Sequence, residues 1–192
     1  MGDVAKGIKS FKGGSAPGPS GLRPEHLKAI LASKVPARRG KALAAITALV
    51  NHLIGGNLPA SCSKYVCGAR LFAARKKAGG FRPIAVGNVE RRLVSKCAAY
   101  AVAGRAASIL KPSQVGVGVR GACEAVVHAI WSMTADNDIP AESKLVLQVD
   151  LDNAFNRGDR SPAFVEIRRL FPDLAAWVES TYGNQAEPLH GE

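Results

Sequence analysis

Several protein classes are excluded by what the sequence lacks. The 192 residues contain only 4 cysteines, too few and too scattered for a disulfide scaffold or a cysteine-rich zinc site. No apolar run approaches the roughly 20 residues that a membrane-spanning helix requires, and no secretory leader opens the chain. We therefore expect an intracellular protein, cytoplasmic or nuclear, without a membrane segment.

Acidic residues are scarce in the first part of the chain. Residues 1–112 hold 20 Lys and Arg but only 3 acids, whereas residues 113–192 hold 6 Lys and Arg and 12 acids. The formal net charge is +11, and 47% of the residues are hydrophobic, as in a globular protein. The basic part favours a polyanionic partner such as nucleic acid, and the acidic part suits a cation or plain solvation.

Hydrophobic spacing predicts a helix-rich chain. Residues 1–20 are rich in Gly, Lys, Ser and Pro, which predicts a flexible leading segment. Apolar residues recur at helical spacing further along, and Pro24 favours the first turn of a helix. One helix is predicted to begin near Pro24. Five more are predicted over residues 36–54, 89–110, 122–134, 161–170 and 172–182.

Few strands are visible between these helices. Val66–Ala74 and Phe81–Val86 are extended apolar runs on either side of a basic, glycine-rich tip, which predicts a β-hairpin. Lys144–Val149 predicts a third strand that runs directly into Asp150. The fold class is therefore α+β, with a sheet too incomplete to cover its helices.

A carboxylate at the end of an apolar strand suits a hard cation. Mg²⁺ prefers oxygen ligands and is commonly bound by one or two carboxylates together with phosphate oxygens. Asp150 is the candidate, and Asp152 would point to the same face if the strand continued. The alternative is that both aspartates simply end a strand in solvent.

The hairpin tip carries a second candidate site. Arg75, Lys76 and Lys77 precede the turn and Arg82 follows it. Cations on a short hairpin can reach a triphosphate, and a guanidinium can contact a phosphate or a base face. The alternative is an ordinary solvated turn.

One further motif is ambiguous. Residues 116–121 fit the pattern G-x-G-x-x-G, but no apolar strand precedes them, and Glu142 lies in a polar loop. A tight turn before a helix explains these glycines better than a dinucleotide site.

Four segments together resemble a known family. In chain order they are Gly18-Pro19-Ser20-Gly21-Leu22-Arg23-Pro24-Glu25-His26-Leu27-Lys28, Phe81-Arg82-Pro83-Ile84-Ala85-Val86-Gly87-Asn88-Val89-Glu90-Arg91, residues 114–125, and Val149-Asp150-Leu151-Asp152-Asn153-Ala154-Phe155-Asn156. They resemble the N-terminal motif, two fingers motifs and palm motif A of reverse transcriptases of non-LTR (LINE-type) retrotransposons. The resemblance implies the fingers and part of the palm of a right-hand polymerase.

The resemblance also implies roles for individual residues. Asp150 matches the first catalytic aspartate, which binds Mg²⁺, and the carbonyl of Leu151 matches a second metal ligand. Phe155 matches the aromatic residue that rejects a ribose 2′-OH, with Ala154 beside it under the sugar. Arg82 matches the arginine over the incoming dNTP, and either Lys76 or Lys77 matches a lysine on its γ-phosphate.

The same resemblance implies an RNA template and a DNA primer as partners. The family also requires a Gln-Gly-Asp-Pro motif and a Tyr/Phe-X-Asp-Asp hairpin, and the sequence ends at Glu192 before either. We therefore expect residues 1–20 to be a leading segment, 21–143 a fingers-like region and 144–192 a partial palm, inactive by itself. The alternative is a non-catalytic protein that binds RNA or DNA through its basic part.

Overall fold

The computed structural model describes residues 2–77, 79–151, 157–183 and 188–189. They form two compact units, and each is described separately below. The first unit comprises Met1–Ala101 and Arg160–Glu192, and the second comprises Val102–Asp159. The boundary at residue 101 falls within one long helix, α5 (Val89–Leu110).

The first unit is mainly helical. Besides the start of α5 it contains α1 (Gly2–Lys9), α2 (Pro24–Leu31), α3 (Pro36–Ile54), α4 (Ala60–Cys67), α7 (Ser161–Leu170) and α8 (Pro172–Tyr182). Proline occupies the first turn of α2, α3, α7 and α8, where its missing N–H is not needed. Gly56, with φ of +74°, follows the end of α3 in a conformation that favours glycine. The helices predicted from the sequence are confirmed here.

The sheet of the first unit is small. Strands β1 (Ala69–Arg75) and β2 (Phe81–Gly87) pair antiparallel, with Ala69 opposite Gly87 and Arg75 opposite Phe81. The short β3 (Pro188–Leu189) runs parallel to the start of β1. The predicted hairpin is thus confirmed from Ala69 onward, whereas Val66 and Cys67, predicted to begin its first strand, are the end of α4. The chain is helix-rich with a small antiparallel sheet.

The core lies where α1, α2, α3, α5 and α8 meet. Ile8 and Val89 are fully buried, and Val94 and Trp177 are nearly so. These side chains belong to one cluster of buried residues, together with Val4, Phe11, Leu27, Val50, Leu53, Leu93, Cys97 and Ala98. The core therefore joins the two ends of this unit, residues 2–101 and 160–183.

The prediction of a flexible leading segment is wrong for residues 2–11. Gly2–Lys9 form α1, and Val4, Ile8 and Phe11 are buried. Val4 and Ile8 are one helical turn apart, so that one face of α1 contacts the core, and Phe11 follows just after the helix. Because the surrounding residues are mostly Gly and Lys, the sequence did not indicate that a helix forms here.

The second unit contains the rest of α5, then α6 (Ala122–Ala135) and a short 3-10 helix, Ala141–Ser143. Val102 and Ala106 of α5 are buried, but no residue of α6 is. The apolar side chains of α6 are therefore mostly exposed to solvent.

The predicted strand Lys144–Val149 is absent. Residues 144–151 have irregular backbone, and Leu145 and Leu147 are 82% and 79% exposed. A strand needs a neighbour for its backbone hydrogen bonds, and no described strand lies beside this segment. β-propensity alone therefore did not produce a strand here.

Among the residues that the structure describes, one helix has the length and composition of a membrane span. This helix is α5, and a core helix of a soluble protein passes the same test. Val89, Leu93, Val94, Cys97 and Ala98 are buried in the core of the first unit, which agrees with that explanation. The predicted intracellular location stays a prediction.

The unit boundaries differ from the predicted division of the chain. The second unit begins at Val102 and ends at Asp159, whereas the sequence suggested divisions after residues 20 and 143. The assignment of these regions to fingers and palm stays a prediction.

Candidate nucleic-acid interface

The hairpin presents its cations on two faces. Side chains on paired strands alternate between faces, so Arg82 and Arg70 share one face with Phe72 and Ile84 between them. Phe72 and Ile84 are 41% and 43% exposed, and both arginines are exposed. This face, defined by Arg70, Phe72, Arg82 and Ile84, is called the hairpin face below.

The other face of the hairpin is also open. It carries Arg75 opposite Phe81 at the end near the turn, and Phe81 is 68% exposed. Neither face of this end of the hairpin is covered by another described element. The hairpin therefore offers aromatic and guanidinium groups to solvent on both sides.

The turn that joins the strands holds the two candidate lysines. Lys76 N–H donates to the carbonyl of Gly80 over 3.0 Å, and Gly79 and Gly80 adopt φ values of +91° and +78°. Those values favour glycine and let the chain reverse tightly. Lys76 and Lys77 are exposed at this tip, as predicted from the sequence.

The cations of the hairpin have no carboxylate partner in the described part of the chain. Ion pairs join Arg168 to Glu179 and Arg169 to Glu166, all on α7 and α8. Arg75, Lys76, Lys77 and Arg82 form none with the described residues. Their charge is therefore available to an external anion.

Asn88 connects the hairpin to the N-terminal motif. Its Oδ1 accepts a hydrogen bond from Ser20 N–H at 2.9 Å, and its Nδ2 donates to the carbonyl of Tyr65 at 2.5 Å. Gly18 lies so close that an added Cβ would be 2.6 Å from Asn88 Cα. The motif around residues 18–23 and the motif around residues 81–91 therefore pack directly on each other.

Arginines of α5 extend this connection. Arg91 Nη1 donates to the carbonyl of Cys67 over 2.8 Å, and Arg92 Nη1 donates to that of Ala16 over 3.1 Å. The guanidinium of Arg92 lies 5.2 Å from the centroid of the Phe11 ring, within cation–π range. These two arginines hold the loops beside the hairpin in place.

Other cations close to Phe11 also have a structural role. Lys96 Nζ lies 5.0 Å from the Phe11 ring, and Lys28 Nζ donates to the Phe11 carbonyl over 2.5 Å. Part of the basic charge of residues 1–112 therefore stabilises the fold. The exposed cations of the hairpin and of α3, such as Arg38 and Arg39, are available to bind an anionic partner.

Glu25 lies within this basic region. Its Oε1 accepts a hydrogen bond from Gly14 N–H at 3.0 Å. The backbone N–H of Glu25 itself lowers the pKa of this carboxyl most, and burial opposes it; the N–H of Gly14 and the charges of Lys28 and Arg23 lower the pKa further. Glu25 thus stays ionised and neutralises some of the positive charge near α2.

Asp150 and Leu151 belong to the second unit. Both lie on the exposed irregular segment 144–151, and Leu151 is 68% exposed. Ala154 and Phe155, like Asp152, lie outside the described residues. Nothing in the structure tests the roles that the resemblance implies for them.

The described residues contain only part of a possible metal site. They contain no group of three or more His, Cys, Asp or Glu side chains that could hold one. Asp150 offers one carboxylate, which is one of the ligands that Mg²⁺ needs and not a complete set. The magnesium site stays a prediction.

The glycines of residues 116–121 have a packing role in the second unit. A Cβ on Gly118 would be 2.8 Å from the carbonyl oxygen of Ala103 and 3.1 Å from Ala107 Cβ, both on α5. Gly121, with φ of +68°, is the residue before α6. These two positions need glycine for close approach and backbone conformation, which agrees with a tight turn before a helix.

Sequence reasoning missed Asn88. The residue is 6% exposed and is one of two buried polar residues in the described part of the chain. Its position directly before α5, where Asn favours a helix start, was the available signal.

Comparisons with known proteins identify no relative. No family model, no curated protein and no solved structure matches the chain.

Proposed function

We propose that this chain is the nucleotide- and template-binding part of an RNA-directed DNA polymerase of the non-LTR type. The observation that carries the proposal is the hairpin of β1 and β2, whose four cations near the tip are exposed and have no ion-pair partner among the described residues. The four family-like motifs, in family order, supply the rest of the support.

The hairpin has the chemistry that single-stranded nucleic acid requires. Arg and Lys neutralise phosphates, and this electrostatic part of binding is independent of sequence. Exposed aromatic rings next to guanidinium groups offer stacking surfaces for bases. Phe72 lies between Arg70 and Arg82 on the hairpin face, and Phe81 lies opposite Arg75 on the other face.

In this proposal Arg82 contacts the incoming dNTP, and Lys76 or Lys77 contacts its phosphates. Asp150 and the carbonyl of Leu151 are the proposed ligands of Mg²⁺, which when bound would neutralise charge on the transferring phosphates. Phe155 and Ala154 are proposed to lie against the sugar of the dNTP. RNA template and DNA primer are the proposed partners.

A second candidate is RNA or DNA binding without catalysis. It is favoured by the position of Asp150 on an exposed, irregular segment with no complete metal site among the described residues. This candidate uses the same hairpin cations and does not depend on Mg²⁺.

The binding function can be tested with the chain alone. We expect a fluorescently labelled single-stranded RNA to bind the wild type, and expect Arg82→Ala to weaken binding because a phosphate or base contact is lost. Arg169→Ala is the matched control, since Arg169 is paired with Glu166 far along the sequence on α7. Equal weakening by both variants would show that general charge, not the hairpin, binds RNA.

Asp150→Ala distinguishes the two candidates. In a protein that joins this chain to a palm with a Tyr/Phe-X-Asp-Asp hairpin, this change should abolish dNTP incorporation if Asp150 binds the catalytic metal. RNA binding should change little, because Asp150 is not among the hairpin cations. Normal primer extension by the variant would remove the catalytic assignment.

A further inference from the structure

One segment of the second unit has the pattern of a strand but no strand beside it in the described part of the chain. Residues 145–151 read Leu-Val-Leu-Gln-Val-Asp-Leu, and their backbone is irregular. The five apolar side chains of this segment are each at least 52% exposed. An exposed segment of strand-like sequence is a ready template for pairing with a strand of another chain.

The neighbouring helix adds apolar surface to this segment. Lys144 Nζ donates hydrogen bonds to the carbonyl of Thr134, over 3.1 Å, and to that of Asp136, at the end of α6. No residue of α6 is buried, and Val127 and Trp131 are more than half exposed. Large exposed apolar surfaces are uncommon in soluble monomers and mark sites of interaction.

The charge of the second unit allows a second copy of the chain to approach it. Residues 102–159 contain 5 Lys and Arg and 7 Asp and Glu, a net charge of −2, whereas the rest of the chain has a net charge of +13. A strong net charge of one sign opposes self-association, and a net charge near zero favours it. Two copies therefore meet at a lower electrostatic cost through their second units than through their basic first units.

The order of residues makes this segment complementary to a second copy of itself. Alternate residues of a strand share a face, and one face of this segment would carry only apolar side chains, those of residues 145, 147, 149 and 151. In an antiparallel pair centred on Gln148, each of these side chains lies opposite another of the four. Asp150 then lies opposite Val146 of the second copy, so that no two carboxylates meet.

A parallel pair of the same segments is less favourable. In register it would also match apolar residues, but it would place Asp150 beside Asp150 of the second copy, and like charges on neighbouring strands destabilise a sheet. The antiparallel pair instead brings the two Gln148 amides together, and each amide can donate a hydrogen bond to the other. Because both copies use the same surface, this arrangement has two-fold symmetry and ends at two copies.

We propose that the chain forms a dimer in which residues 145–151 of two copies pair as antiparallel strands centred on Gln148. The second copy supplies the neighbour that this segment lacks, and the exposed apolar residues of α6 extend the interface. A specific interface buries about 800 Å² per partner, from roughly 20–30 residues. Residues 145–151 and the 14 residues of α6 are enough for the lower end of that range. The dimer does not rest on the proposed function, because no cation of the hairpin takes part in it.

Sedimentation equilibrium of the full chain at several protein concentrations measures the association. We expect the wild type to form a dimer in a concentration-dependent way. Gln148→Glu should weaken dimerisation by about tenfold or more, because it places two carboxylates opposite each other. Asn137→Asp adds the same charge in an exposed turn of the second unit and should dimerise as the wild type does. A wild type that is monomeric at every concentration, or equal effects of the two variants, would overturn the proposal.

Cysteine cross-linking tests the register of the pair. The background carries Cys62→Ser and Cys123→Ser, which remove the two exposed thiols. Gln148→Cys should form a disulfide between copies, because residues that face each other on antiparallel strands have Cα atoms about 4.5–5.5 Å apart, within disulfide range. Leu145→Cys is the control and should not cross-link, since its counterpart would lie about 20 Å further along the second strand.

The two cysteine variants together decide between the antiparallel pair and other modes of association. Efficient cross-linking of Gln148→Cys alone is the result that the proposal predicts. Equal cross-linking of both variants would show a parallel pair or non-specific association, and cross-linking of neither would show that these segments do not meet. Either of those results would overturn the proposal.

Discussion

The backbone N–H of Ser20 donates to Oδ1 of Asn88 over 2.9 Å and joins two segments that are 68 residues apart in sequence. Both belong to motifs that carry the family resemblance, one at the N-terminus and one across β2 and α5. Asn88 also holds Tyr65 of α4 through its Nδ2. One buried amide thus fixes the position of the hairpin relative to the helices of the first unit.

Asn88→Ala should lower the free energy of unfolding by about 1–3 kcal/mol, because it removes the two hydrogen bonds that this buried amide makes with the Ser20 N–H and the Tyr65 carbonyl. Urea denaturation followed by circular dichroism measures this. The control is Asn137→Ala in an exposed turn, expected to change stability by less than about 0.5 kcal/mol. Equal stabilities of the two variants would show that Asn88 does not connect the motifs.

Gly18→Ala should also destabilise the protein, by about 1–3 kcal/mol, the usual cost of forcing an added methyl group into a packed site. The methyl group would be 2.6 Å from both Cα and N of Asn88, which are backbone atoms that cannot move aside easily. Gly13→Ala is the matched control, since a Cβ there meets nothing within 4 Å. A thermal melt that does not distinguish these variants contradicts the close packing of Gly18.

Ile8→Ala tests whether α1 belongs to the core. Ile8 is 0% exposed, so its truncation should cost about 2–5 kcal/mol of unfolding free energy. Val127→Ala on α6, where the side chain is 57% exposed, should cost far less. Wild-type stability of Ile8→Ala would mean that residues 2–11 are not packed in solution.

The four thiols should react at two different rates. Cys62 and Cys123 are exposed, whereas Cys67 and Cys97 are buried. Burial, and secondarily the charge of Asp3, raises the pKa of the Cys97 thiol above its ordinary value of 9.0, so it stays protonated and unreactive near pH 8. A disulfide reagent should titrate two thiols quickly in the folded protein and all four in denaturant; rapid reaction of all four without denaturant would contradict this packing.

The same thiol affects stability at alkaline pH. Because the folded-state pKa of Cys97 is raised, its contribution to stability is fully present below pH 9.0 and is lost as the pH rises through that higher value. Cys97→Ala should therefore reduce the alkaline dependence of the unfolding free energy, measured by urea titration between pH 8 and pH 11.

Local patterns in the sequence were sufficient for most helices and for the hairpin. The apolar spacing of α3 and α5, the prolines at helix starts and the glycine-rich turn between β1 and β2 act over short distances. The candidate cations Lys76, Lys77 and Arg82 were found for the same reason, because a basic turn is visible without knowledge of the tertiary fold.

Features that depend on distant partners were not predicted. Residues 144–149 have the apolar pattern of a strand, but a strand needs a neighbour, and none is present among the described residues. Helix α1 is stabilised by contacts with α2 and α3 rather than by its own composition. Asn88 likewise gained its role only from partners more than 20 residues away.

The salt dependence of RNA binding tests the central claim most directly. For single strands, the slope of log K against log salt concentration falls by about 0.7 for each phosphate contact that is lost. A variant with alanine at Arg75, Lys76, Lys77 and Arg82 should therefore show a clearly shallower slope than wild type, while alanine at Arg168 and Arg169 should leave the slope unchanged. If the hairpin variant binds RNA with the wild-type slope, the hairpin is not the nucleic-acid interface.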